Sequence, residues 1–138
     1  TRDEYYRQLF NVSCNNAWQD WLIYFLNGVA VQSEDALSRA ERINDLLNKW
    51  KLQVASGASS VPVDIVDHFA VNPYLTIKKI SGELKIAYST AERGVRKLLG
   101  ENIISQVNNN KRDKVYCATE ILSILEEPAK IHADIEED

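Results

Sequence analysis

At 138 residues and a formal net charge of −4, the chain has room for one domain or two small ones, and its 45% apolar content is that of an ordinary globular protein. No apolar run approaches the roughly 20 residues of a membrane span, and the polar, acidic opening TRDEYY lacks the pattern of a secretory signal. The absence of Met points to a piece of a longer chain, and Cys14 and Cys117, in no metal or redox spacing, imply buried thiols in a reducing, cytoplasmic compartment.

Taken in order, Tyr5, Tyr6, Leu9 and Phe10 predict a short helix over residues 3–10. Trp18, Trp21, Leu22, Phe25, Leu26 and Val29 recur at helical spacing and predict a second over 15–31. Ser33 is read as the cap of a third, with Glu34 and Asp35 in its first turn and Leu37, Ala40, Ile43, Leu47, Trp50 and Val54 on its apolar side. The short connection at 31–33 predicts an antiparallel helical hairpin. This aromatic group is core packing between helices rather than a ligand-stacking site, and it makes a thin core.

Ser56-Gly57-Ala58-Ser59-Ser60 is the expected domain boundary. Pro62 starts the next helix, with Val63, Val66, Phe69 and Ala70 inward, and Asn72-Pro73 ends it, because proline removes a backbone donor and disfavours helix at the preceding residue. Residues 76–118 then read as helix, sharp corner, helix and hairpin. Ile77, Ile80 and Leu84 face inward on the first helix; Tyr88, Ala91, Val95, Leu98 and Leu99 do so on the second, with Ser89 and Glu92 as a capping box. Strands at 103–107 and 114–118 flank Asn108-Asn109-Asn110-Lys111-Arg112-Asp113. A closing helix covers 120–126. The expected fold is mainly α: a helical segment (1–57) forming a helical hairpin, a winged helix-turn-helix domain (58–127) with a small β-hairpin wing, and an acidic tail (128–138).

Charge singles out the same stretch. Residues 76–118 carry nine Lys/Arg against four Asp/Glu, whereas both flanks are acidic, which predicts a local site for a polyanion, duplex DNA. With Ala91, Val95 and Leu98 inward, Ser89, Thr90, Arg93, Arg96 and Lys97 face a major groove. Asn109, Asn110, Lys111 and Arg112 of the wing reach adjacent phosphates or the minor groove, and Lys78 and Lys79 add phosphate contacts. Gly94 weakens the helix that reads the groove.

No catalytic motif accompanies this. The five glycines form no phosphate-cradling loop, His68 and His132 are isolated, and the carboxylate pairs Glu34–Asp35 and Glu126–Glu127 sit at a helix end and in a polar tail. The expectation is a non-enzymatic chain with no cofactor, no metal and no membrane partner.

Arg2-Asp3-Glu4-Tyr5-Tyr6, the segment Trp18 to Val29 and the run LKIAYSTAERGVRKLLGENI together resemble the C-terminal part of Fic family proteins. The resemblance implies that the first helices finish an all-helical catalytic domain and that the winged helix is appended to it. It also implies a parent that transfers AMP from ATP to a hydroxyl of a target protein, using an upstream motif of the form HxFx(D/E)GNGR. That motif is absent here, so no catalytic or nucleotide-binding residue is carried over. Two readings follow: a DNA-binding module in transcription regulation, or a module of an AMP-transferring enzyme that orients protein targets or mediates self-association without binding DNA.

Overall fold

The computed structural model describes residues 2–129, and the expected acidic tail from Lys130 onward, with His132, lies outside them. The described chain is mainly helical with one small antiparallel sheet: α1 (Arg2–Asn15), α2 (Trp18–Val54), α3 (Val61–Val71), β1 (Tyr74–Thr76), α4 (Ile77–Leu84), α5 (Tyr88–Gly100), β2 (Ser105–Gln106), β3 (Val115–Cys117) and α6 (Thr119–Leu125). No described helix is long and apolar enough to cross a membrane. Two compact units form, dividing between Ala40 and Glu41 rather than at the expected boundary after Gly57.

The expected hairpin of helices 15–31 and 33–54 is corrected: α2 is continuous through both. Nothing at Val31-Gln32-Ser33 breaks a helix, since neither glycine nor proline is present. The Ser33 hydroxyl, expected to cap, instead donates to the Val29 carbonyl one turn back, at 2.7 Å. Asp35 is held by Arg39 at 2.8 Å within the same helix.

In the first unit, Asn16 at φ 56° ends α1 and turns the chain into α2. Tyr5 meets Trp21 edge to face with ring centroids 5.5 Å apart, and Trp21 stacks on Phe25 at 6.2 Å. The expected burial of this group is not realised. Tyr6, Phe10, Trp18, Leu22, Phe25 and Leu26 are each half exposed or more, because two helices cannot cover one another's aromatic surface. Cys14 is likewise exposed, whereas Cys117 is buried as expected.

The second unit, Glu41–Glu127, has a continuous core of Trp50 and Val54 from α2, Ile65, Val66 and Phe69 from α3, Ile77 and Ile80 from α4, and Ala91, Val95 and Leu98 from α5. Ile103, Ile104, Tyr116 and Ile121 complete it. Burial of Trp50 and Val54 is why the unit starts inside α2. Arg42 grips Glu127 at 2.6 Å through both guanidinium amino groups, and Lys51 meets Asp67 at 2.5 Å. Pro62 opens α3 and Asn72 closes it, as the sequence leads one to expect.

Beyond Asn72 the chain makes β1, an element too short to stand out in sequence. It pairs with β3 through Tyr74–Cys117 and Thr76–Val115, and β3 pairs with β2 on its other edge, giving the order β1-β3-β2. The predicted hairpin strands survive only at their centres, with Ile103 and Ile104 entering the core instead. Asn102 at φ 57° makes that possible: it reverses the chain so that Ile103 N–H reaches the Leu98 carbonyl.

Helices α3 and α5 approach one another closely at Gly94. A Cβ on Gly94 would stand 2.5 Å from Ile65 Cδ1 and 3.2 Å from Val61 Cγ1. Gly94 is therefore not simply a weak point of α5, as propensity alone suggests, but the surface on which α3 rests. Gly94→Ala gains about 1 kcal/mol of helix propensity and incurs overpacking of about 1–3 kcal/mol. Because Ile65 is fully buried, the second term wins, and urea denaturation is expected to show net destabilisation. Ile65→Val, which deletes the clashing methyl, should lower stability in the wild type and restore it in Gly94→Ala.

Candidate nucleic-acid interface

Four residues fix the direction of α5. Ala91, Gly94, Val95 and Leu98 face the core, so Ser89, Arg93 and Arg96 on the opposite side are exposed and Thr90 and Lys97 flank them. Upstream, the Thr76 hydroxyl caps α4 by accepting from Lys79 N–H at 3.2 Å. Lys78 and Lys79 sit exposed in that first turn, and Lys79 lies 3.9 Å from Glu83. The corner between the helices is set at Lys85, left-handed at φ 53°. Ile86 N–H bonds to the Ser81 carbonyl, and the Ser81 hydroxyl donates back to the Ile86 carbonyl at 2.7 Å.

The capping box expected at Ser89 and Glu92 does not form. Helix α5 begins at Tyr88 with Ala87 as N-cap and no side-chain cap, two residues too early for Ser89 to serve. Glu92 instead accepts from Arg96 at 3.2 Å on the helix surface. Tyr88, expected in the core, is 56% exposed. Lys97 is diverted too: its ammonium donates to the Ser56 carbonyl, tying α5 to the segment before α3.

Asn109, Asn110, Lys111 and Arg112 lie exposed between β2 and β3. The loop is closed by Asn108, whose side-chain amide donates to the Asp113 carbonyl and accepts from Val115 N–H, each at 3.0 Å. Asp113 at φ 54° completes the turn. Lys78, Lys111 and Arg112 come together on one cleft of about 560 Å³, which Tyr88, Glu92, Lys114 and Tyr116 also line. Thr90, Arg93 and Lys97 border a smaller hollow of about 250 Å³ beside Gly57 and Pro62. Lys114, Tyr88 and Tyr116 are the site residues that sequence reasoning missed. The signal for Lys114 is its place as the last cation of Lys111-Arg112-Asp113-Lys114, masked by the strand pattern of the residues that follow it.

His68, isolated in sequence, links α3 to α4: its Nδ1 lies 2.9 Å from the Asp64 carbonyl and its Nε2 3.6 Å from Glu83. Burial pushes the Cys117 thiol up, against the opposing hydrogen bond from Tyr74. The Tyr116 phenol is also raised, by burial first and then by Tyr88 and Glu92, with Arg96 opposing.

Both folded values lie above the unfolded ones, so these groups favour the folded state below their unfolded pKa, and that advantage is lost as pH rises. Urea midpoints should therefore stay level to about pH 8, then fall once the unfolded thiol ionises near 8.5 and again near 10 for the phenol. Cys117→Ala should remove the first decline and leave the second.

Comparison with protein-family models and with curated proteins gives no match to this chain.

Proposed function

We propose that the chain is a non-catalytic module whose second unit is a winged helix-turn-helix that binds duplex DNA in a regulatory role. The observation that carries this reading is the common exposure of Ser89, Arg93 and Arg96 along one side of α5, with Lys78, Lys111 and Arg112 gathered beside its start. The element order α3, β1, α4, α5, β2, β3 supports the assignment, with the 107–114 loop as the wing and α5 as the helix presented to a major groove. The Arg96–Glu92 and Lys79–Glu83 pairs are exposed and contribute little by themselves. Phosphates would replace those carboxylates as partners at small cost. Lys97, tethered to the Ser56 carbonyl, contributes its charge from a fixed position.

The Fic resemblance belongs to the same proposal. Under it the chain is cytoplasmic and is the C-terminal part of a Fic-like protein, with α1 and the start of α2 carrying its RDEYY and Trp18–Val29 segments. The half-exposed aromatics there favour one second reading, a protein-facing or self-associating module of a Fic-type AMP-transferring enzyme, since large exposed apolar surface marks protein contact.

Fluorescence anisotropy with a labelled duplex across a salt series separates the two. DNA binding predicts a log K that falls linearly with log salt. Arg93→Ala with Arg96→Ala should weaken binding about tenfold or more and flatten the slope by about one for each phosphate no longer neutralised. Unchanged anisotropy in the double variant, or no salt dependence, would falsify the DNA reading.

A further inference from the structure

The cleft beside the start of α5 has features that a duplex backbone does not require. Its volume of about 560 Å³ falls within the range of small-ligand sites, about 300–1,000 Å³. Tyr116 lines it at 4% exposure, and no described residue hydrogen-bonds its hydroxyl. Among the described residues the one fully enclosed polar side-chain atom without a partner is Gln8 Oε1, so the Tyr116 hydroxyl opens onto the cleft and is available to a polar ligand there. Tyr88 lines the same cleft with its side chain more than half exposed, so an aromatic face is on offer next to that hydroxyl.

The charges have an order of their own. Lys78, Lys111, Arg112 and Lys114 border the cleft, and none forms an ion pair with a described residue. Helix α5 starts there without a side-chain cap, leaving the amides of Tyr88 and Ser89 without a capping oxygen. Glu92 supplies an acceptor on the same lining. Cations and uncapped amides suit a phosphate, the exposed ring suits a planar base, and hydroxyl and carboxylate suit the donors and acceptors on a base edge.

We propose that this cleft binds a single nucleotide unit, its phosphate among Lys78, Lys111, Arg112 and Lys114 and its base against Tyr88 and Tyr116. The chemistry is shared by a free nucleoside monophosphate and by one unstacked residue of a single strand. The proposal goes beyond duplex binding by the outer side of α5, although Lys78, Lys111 and Arg112 serve both.

The test is amide chemical-shift titration of the full chain with adenosine and thymidine 5′-monophosphates, a thymidine tetranucleotide and inorganic phosphate. Saturable shifts at Tyr88, Tyr116 and residues 111–114 are expected with a nucleotide ligand at concentrations well below those at which phosphate acts. Saturation by a monophosphate supports the proposal with free nucleotide as the source; saturation by the tetranucleotide alone supports it with a strand as the source. Tyr116→Phe keeps the ring packed and removes only the hydroxyl, so it should weaken nucleotide binding about threefold to tenfold. Three results overturn the proposal: no shifts with any nucleotide to millimolar concentration, equal response to phosphate alone, or unaltered affinity in Tyr116→Phe. Duplex anisotropy on the same sample keeps the two readings apart. Cleft shifts without duplex binding would remove the duplex reading alone, and duplex binding with a silent cleft would remove this one alone.

Discussion

The close approach of α3 to α5 at Gly94 is the contact on which the second unit depends. With no side chain at that position, Ile65 and Val61 press directly on the α5 backbone, and dispersion contacts at such distances are dense. Once that contact is made, the helix has no rotational freedom left: Ala91, Val95 and Leu98 must point inward with Gly94, and Ser89, Arg93 and Arg96 must point out. The direction of the basic side chains is thus decided by packing on the far side of the helix. Trp50 and Val54 seal the same core from α2, so residues outside the expected domain are part of what holds the site in place.

Electrostatics acts on a geometry already fixed. The basic stretch is flanked by acidic sequence, and two of its cations have carboxylates within reach, Arg96 with Glu92 and Lys79 with Glu83. Pairs of this kind on a wet surface hold their partners weakly. They offset two of the nine positive charges of residues 76–118 and leave the stretch basic. Lys78, Lys111, Arg112 and Lys114 have no such partner among the described residues, and they converge where α5 begins. Attraction for a polyanion is therefore expected to be concentrated at that end of the helix.

Much of this unit is legible in the residues, for reasons that can be named. Pro62 and Asn72-Pro73 bracket α3, the spacing of Ile77 with Ile80 and of Ala91, Val95 and Leu98 gives two apolar sides, and Ile121 marks α6. What escapes a sequence reading depends on neighbours distant in the chain. Gly94 reads as a weak helix residue until Ile65 is placed against it, and Tyr88 sits at core spacing yet belongs to the cleft. Strand β1 exists only because β3 supplies its partner. Local rules also compete: Ser33 and Ser89 are good caps by type, but one bonds back into a continuous helix and the other lies one residue inside α5. Thr76, by contrast, does cap its helix, α4.

The proposed presentation of the start and outer side of α5, with the 107–114 loop, to nucleic acid has a clear signature in solution. Amide chemical-shift mapping of the full chain with a short duplex should show perturbations concentrated at residues 78–79, 88–97 and 108–114. The core amides of α3 and the aromatic residues of α1 should stay unmoved. A map centred on α1 and the first turns of α2, or one with no perturbation at low salt, would contradict nucleic-acid binding at this face.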